Sequence, residues 1–302
     1  MWQAYLFPKT IEETLRLLAD WAGEARVIAG GTDLVLQLKR GERQTACLID
    51  ISRITALRSI AEADGLVTVG AAVTHAEAAA SPLIQKYAPV LSQAAAEVGS
   101  PEIRNVATLG GNVVNAQPAA DAALALLALD AEAEIVGAEG SHWVPLSDLY
   151  GGAGVSTVDS SAELLRGFRF QVPALRLPSG QTVQVGSAYR RLGKCKSIAL
   201  PVLCAATIVR LEGERFVSAA ISLGPIAPRP YRAGIAEASL VGRPATAGSI
   251  ARAATMARQE ARPRDSLLRC AKVYREAMVS VLVQSTLEQA IAAARQPAEG
   301  VL

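Results

Sequence analysis

The chain has 302 residues, with 30 Lys and Arg against 28 Asp and Glu, a formal charge of +2 at pH 7, and 51% apolar residues. That apolar share excludes a disordered chain and suffices for the cores of two or three domains. The near-neutral balance excludes the basic footprint of a nucleic-acid or anionic-membrane binder.

In chain order, Thr10–Ala22 sets Ile11, Leu15, Leu18 and Trp21 at helical spacing behind a Thr10/Glu13 capping-box pattern. Arg26–Ala29 reads as a short buried strand broken by Gly30–Gly31, Leu34–Lys39 as a helical or extended stretch, and Ala46–Ile51 as a further strand. This first unit closes near residue 55. The second unit, 56–178, opens with a strand at Leu66–Val69, then helices at His75–Ala80, Pro89–Val98 and Ala119–Leu129. Strands follow at Glu132–Val136 and Glu163–Phe170, with a flexible connection at Gly151–Gly154 between them. The third unit, 179–302, has strands of an antiparallel sheet at Ser187–Arg191, Val202–Leu211 and Phe216–Leu223, with turns at Gly224–Pro230 and Gly242–Pro244. Helices are predicted over Ile250–Glu260, Leu267–Gln284 and Thr286–Arg295. A sheet followed by helices makes the fold class α+β.

Reactive side chains are few. Cys47, Cys195, Cys204 and Cys270 form no C-x-x-C pair and match neither zinc nor iron–sulfur spacing, as expected of reduced thiols in a cytoplasmic protein. His75 and His142 have no partner at metal-ligand spacing, no G-x-S-x-G elbow exists, and so neither a metal site nor a catalytic residue is predicted. The N-terminal Met1–Pro8 has no basic region followed by an apolar one, so no secretory leader is expected. The apolar stretches Ala122–Leu129 and Ile198–Val209 fall short of the roughly 18 residues that suggest a membrane span, so no transmembrane segment is predicted either.

The informative feature is a pair of glycine doublets, in Val27–Leu34 (VIAGGTDL) and in Ala107–Val114 (ATLGGNVV). Each follows a short apolar stretch and precedes a small polar residue. Gly-Gly either makes a tight turn or lets consecutive amides form an anion-binding nest. Two nests could grip a pyrophosphate from both sides, with Thr32, Thr108 and Asn112 adding side-chain bonds. Neither doublet is a G-x-G-x-x-G or a G-x-x-x-x-G-K-[ST], so Rossmann and P-loop readings have no support. Asp121, shortly after Pro118, falls in a first helical turn as a dipole-satisfying acid or an acceptor for ligand hydroxyls. The basic run Arg190–Lys196 beside Tyr189 is either a solvated loop or a rim contacting a phosphate, a flavin edge or a partner.

The segments Ala29–Gly41, Gly99–Ile135 and Gly224–Arg243 (AGGTDLVLQLKRG, GSPEIRNVATLGGNVVNAQPAADAALALLALDAEAEI and GPIAPRPYRAGIAEASLVGR) carry a wider likeness. In this order they resemble the FAD-binding, or medium, subunits of the molybdenum hydroxylases, the xanthine dehydrogenase and carbon monoxide dehydrogenase group. The resemblance covers nearly the whole chain. It implies a two-subdomain FAD-binding fold of the vanillyl-alcohol oxidase or p-cresol methylhydroxylase type with a C-terminal α+β domain beside the flavin. On this resemblance Ile28, Ala29, Gly30, Gly31, Thr32, Asp33 and Leu34 cradle the FAD diphosphate, together with Ala107, Thr108, Gly110, Gly111 and Asn112. Asp121 matches the aspartate that holds FAD hydroxyls, Val98 packs near the cofactor, Leu165 lies near the flavin ring, and Tyr189 and Arg190 approach the isoalloxazine.

The resemblance further implies a dimer of heterotrimers with a large molybdenum-cofactor subunit and a small subunit holding two two-iron two-sulfur clusters. Electrons would pass through FAD to NAD, oxygen, a quinone or another acceptor. Residues 112–194 contain no cysteine, so the extra four-iron cluster of the aromatic-thioester reductase relatives is not expected. The alternatives are a stand-alone FAD oxidase or dehydrogenase of the same fold, and a flavin-free scaffold.

Overall fold

The computed structural model describes residues 2–172, 182–195 and 200–296, so the expected boundary at 178 and Lys196 of the basic run lie outside the described residues. Its three larger sheets follow one another along the chain. The first is a parallel three-stranded sheet of β1 (Ala4–Leu6), β2 (Ala25–Ile28) and β3 (Cys47–Asp50), with β3 in the centre, joined through α1 (Ile11–Asp20) and α2 (Leu34–Lys39). Thr10 caps α1 by accepting from the Glu13 amide, while the Glu13 carboxylate takes the Lys9 amide.

The second layer is a five-stranded antiparallel sheet in the order β4 (Ile60–Ala63), β5 (Leu66–Gly70), β10 (Leu164–Gln171), β6 (Glu132–Gly137) and β7 (Gly140–Pro145). Between β5 and β6 the chain makes six helices: α3 (His75–Ala80), α4 (Pro82–Tyr87), α5 (Pro89–Ala96), α6 (Pro101–Val106), α7 (Leu109–Val114) and α8 (Asp121–Ala128). Every residue of α8 is buried, as a helix hydrophobic on all sides requires. It packs against α5 and α7 on one side and the third sheet on the other. Where the Gly151–Gly154 run predicts a flexible connection, the chain forms a small hairpin of β8 (Tyr150–Gly152) and β9 (Val155–Ser156), turned by Gly154 at φ +73°.

The third unit is an antiparallel meander of β11 (Gln184–Gly193), β12 (Pro201–Glu212), β13 (Arg215–Gly224) and β14 (Tyr231–Arg232), followed by α9 (Gly234–Leu240), α10 (Ala247–Glu260) and α11 (Lys272–Arg295). The predicted helices Leu267–Gln284 and Thr286–Arg295 are one element. Thr286, buried inside α11, donates to Val283 O and accepts from Thr207 Oγ1 of β12, so its hydroxyl does not break the helix. The start lies at Lys272 because Cys270 adopts φ +74°, which no right-handed helix admits. Among the described residues α11 is the one helix long and apolar enough to cross a membrane. It lies across β11 and β12, with Val279, Val283, Leu287 and Ala290 fully buried in the core of the third unit.

Candidate functional site

The first glycine doublet rests on the residues that lead into the second, about 80 positions away in sequence. A Cβ built on Gly30 would lie 1.9 Å from Val106 O, 2.6 Å from Val106 C and 2.9 Å from Ala107 Cα. Only a residue without a side chain lets the β2–α2 loop rest on the end of α6. Gly31 follows at φ +67°, the left-handed region. Gln37 Nε2 of α2 donates to Asn115 Oδ1 at the end of α7 (3.3 Å), which ties α2 to α7.

The amides of the two loops are used differently. In the first, the N–H groups of Gly30, Gly31, Thr32, Asp33 and Leu34 find no acceptor among the described residues, and α2 takes its first bond only at Val35, to Gly31 O. Five consecutive free donors on a loop with one left-handed glycine form an anion-binding nest. In the second loop the donors are largely spent inside the protein. Leu109 N donates to Val73 O, Gly110 N to Ala71 O (2.8 Å), and Gly111 N to Thr108 Oγ1 (3.0 Å), which makes Thr108 the N-cap of α7. A Cβ on Gly110 would stand 2.7 Å from both Ala71 Cβ and Ala71 O, so this glycine serves close packing against the end of β5. Asn112 Oδ1 accepts from Ala123 N (3.1 Å) and caps α8 from across the turn.

A second cluster lies where α5 and α8 meet the third sheet. Asp121, at the start of α8 and only 6% exposed, accepts from Tyr189 OH at 2.5 Å and from Cys204 Sγ at 3.7 Å, and Arg191 Nε stands 3.5 Å from the same oxygen. Burial pushes the Asp121 carboxyl up, opposed by the Arg191 guanidinium and the Tyr189 bond. Burial and the Asp121 charge hold the Tyr189 phenol and the Cys204 thiol well above their ordinary values, so both stay protonated donors. Tyr189 N donates to Gln93 Oε1 (2.8 Å) and Arg191 Nη1 to Glu97 O (2.5 Å), which ties β11 to α5.

Of the remaining predicted residues, Val98 is half-buried and accepts from Arg104 Nη1 through its carbonyl, and Leu165 is 4% exposed in β10, opposite Ile135. Arg190 is exposed, with its side chain on the opposite face of β11 from Tyr189. Gln93 carries no signal in the sequence, whereas Arg191 belongs to the basic run Arg190–Lys196 and turns onto Asp121 and Glu97 O within this chain. Arg191 was legible in principle, because residues two apart on a strand share a face and Arg191 therefore follows Tyr189 inward. Two cavities, of about 300 and 360 Å³, lie between α10 and α11 and between the end of α8 and the third sheet, and neither is lined by any predicted site residue.

Comparison with known proteins decides what this arrangement belongs to. Residues 2–174 match the family described as the FAD binding domain in molybdopterin dehydrogenase, and residues 187–290 the CO dehydrogenase flavoprotein C-terminal domain. The chain belongs to the FAD-binding medium subunits of the molybdenum hydroxylases. It is 30% identical over 286 residues to the xanthine dehydrogenase FAD-binding subunit of Escherichia coli O157:H7, covering 94% of each chain. To subunit alpha of the 6-hydroxypseudooxynicotine dehydrogenase complex of Paenarthrobacter nicotinovorans it is 32% identical over 298 residues, 98% of this chain and 97% of that one. The carbon monoxide dehydrogenase structure from Hydrogenophaga pseudoflava contains a chain that superimposes with a TM-score of 0.89 at 28% identity, over 97% of this chain and 98% of that chain.

The cofactor of this subunit family is FAD, and the first loop fits it. A diphosphate needs several N–H donors at close backbone approach, and loop 30–34 offers five.

Beside the cradle, His75 is 1% exposed, its amide donates to Ala107 O, and its Nδ1 is buried with no hydrogen-bond partner among the described residues. Burial, with the nearby Arg104 charge, lowers its pKa to about 4 from 6.5. Between those values the unfolded chain binds the proton and the native one does not, so stability rises with pH across the window. Stability is complete above 6.5 and falls as the pH drops toward 4, by about 3 kcal/mol for this group. His75→Leu is expected to flatten this slope when urea midpoints are compared at several pH values in that window; an unchanged slope would assign acid sensitivity to other groups.

Proposed function

We propose that this subunit is the electron relay of its complex. It holds FAD with the diphosphate on loop 30–34 and receives electrons from two-iron two-sulfur clusters of a small partner subunit. It passes them to an external acceptor, while the substrate is oxidised on a large molybdenum-cofactor subunit. Bound FAD supplies a carrier that exchanges one or two electrons. The chain's own residues supply binding and position.

The observation that carries the reading is the run of five amides, Gly30 to Leu34, with no acceptor among the described residues, on a loop whose Gly30 is seated on Val106 and Ala107. Thr32, half-buried in that run, has a hydroxyl suited to a phosphate oxygen, and Ile28 at the end of β2 anchors the loop in the core. The second doublet shapes the floor: Gly110 brings α7 onto Ala71, and Ala107 supplies backbone beneath Gly30. Asp121 and Tyr189 act as the joint between the second and third units, which keeps the third sheet beside the cofactor-binding units.

Two measurements test this reading. The purified chain is expected to carry the visible absorbance of bound flavin, or to regain it when FAD is added. A chain that neither contains nor takes up flavin would sink the proposal. Affinity purification from its native cells is expected to bring down one molybdenum-containing and one iron–sulfur chain. Isolation of a fully active oxidase without them would favour a stand-alone enzyme instead.

A further inference from the structure

We propose that Arg191 is a positioning residue for the cofactor cradle: its guanidinium ties the Glu97 carbonyl after α5 to the Asp121 carboxylate of α8, and so holds the 97–107 segment where Val106 meets Gly30. The proposal rests on the reading of loop 30–34 as the diphosphate cradle.

The segment has little means of holding itself in place. Among its six residues α6 buries none, and Ile103 and Val106 are 37% and 48% exposed. Apolar burial therefore contributes little to where this helix sits. Its internal bonds make it a compact piece: Ser100 Oγ accepts from Ile103 N, Arg104 Nη1 reaches back to Val98 O, and Ala107 N donates to Ile103 O. Gly99, at φ +52°, folds against the Ile103 side chain. Such a piece moves as a unit unless both ends are fixed.

One end is fixed by α3, where His75 N donates to Ala107 O. The other end is fixed from the third unit. Arg191 Nη1 donates to Glu97 O at 2.5 Å, and its Nε lies 3.5 Å from Asp121 Oδ1. One planar guanidinium thus engages a backbone carbonyl and a buried carboxylate at once, a geometry that a lysine ammonium cannot reproduce with both partners. Tyr189 N on Gln93 Oε1 fixes the same strand to the same helix one turn earlier, so β11 and α5 form a rigid frame from which the segment starts. The cradle floor then depends on a residue of the C-terminal unit that is separated from Gly30 by the whole of the 97–107 segment.

The test uses the full chain with Arg191→Met and Arg191→Lys. Hydrogen exchange on the flavin-free protein and fluorescence titration with FAD are measured in parallel. In Arg191→Met, which strands the buried Asp121 carboxylate and so lowers protection throughout the chain, exchange over 99–107 is expected to quicken about tenfold more than in β12 and β13, and the FAD dissociation constant is expected to rise about tenfold. Arg191→Lys, which keeps the charge but not the fork, is expected to fall between Arg191→Met and the parent, and it carries the same comparison if the methionine variant does not fold. Unchanged exchange over 99–107 overturns the proposal, whatever the flavin does. Exchange over 99–107 that quickens no more than in β12 and β13 also overturns it, since Arg191 would then be a general stabiliser. Faster exchange concentrated over 99–107 with an unchanged FAD constant would likewise overturn the link to the cofactor; whether loop 30–34 is the cradle is read separately from Gly30→Ala.

Discussion

Gly30→Ala is expected to abolish retention of FAD while leaving the third unit folded. The added methyl carbon would sit 1.9 Å from Val106 O and 2.6 Å from its carbonyl carbon. Both obstacles are backbone, so no side-chain rotation relieves the clash and the β2–α2 loop has to lift off α6. Overpacking of this kind costs about 1–3 kcal/mol or more. The loop is where that strain is released, because its amides from Gly30 to Leu34 have no acceptor among the described residues to keep them in place. The nest is then lost as a geometry even though every donor remains. Gly31→Ala is expected to be milder, since the left-handed conformation at φ +67° costs an alanine about 1–2 kcal/mol and Ile28 Cδ1, 3.0 Å from the new carbon, is the end of a flexible side chain. Flavin stoichiometry of the purified variants, with hydrogen exchange of β12 and β13 as the folding control, decides the matter. Stoichiometric FAD in Gly30→Ala would remove loop 30–34 from the binding site.

The architecture was largely legible because its long elements obey their periods. The α1 spacing, the apolar run of α8 after Asp121 and the three long strands of the third sheet follow from pattern alone. The short helices α4, α6 and α7 of the second unit did not, and the reasons are local. α7 is built directly on Gly110–Gly111, where two poor helix formers are tolerated because Thr108 caps them and Ala71 demands the absence of a side chain. The full reciprocal capping box belongs to Thr74 and Glu77 at α3, not to the Thr10 and Glu13 pair singled out in the sequence. In the site, the sequence offers both loops as the same kind of nest. In the structure the first loop's amides have no acceptor among the described residues, whereas the second loop's are spent on Val73 O and Ala71 O, which come from a strand end far from the motif. Asp121 shows the same limit. Its place in a first helical turn was readable, but its partners Tyr189, Arg191 and Cys204 lie 68 or more positions away, on the strands of another unit.

Those partners set the second large effect. Asp121→Ala is expected to destabilise the flavin-free chain by about 3 kcal/mol, because it leaves the Arg191 guanidinium and the Tyr189 hydroxyl without their buried acceptor. Breaking one side of a buried charge pair costs about 3–5 kcal/mol, and the lower end applies because Arg191 keeps its bond to Glu97 O. Asp121→Asn keeps an acceptor for Tyr189 but removes the counter-charge, so a smaller loss is expected, about 1–2 kcal/mol. The joint between α8 and β11 should weaken in both variants, and flavin affinity should fall as a consequence of that loss. The reading of Asp121 as an acceptor for flavin hydroxyls predicts a different result without flavin. On that reading Asp121→Ala lowers FAD affinity while the urea midpoint of the flavin-free chain does not move. Unfolding of the two variants without flavin therefore separates a carboxylate that holds two units together from one that holds the cofactor.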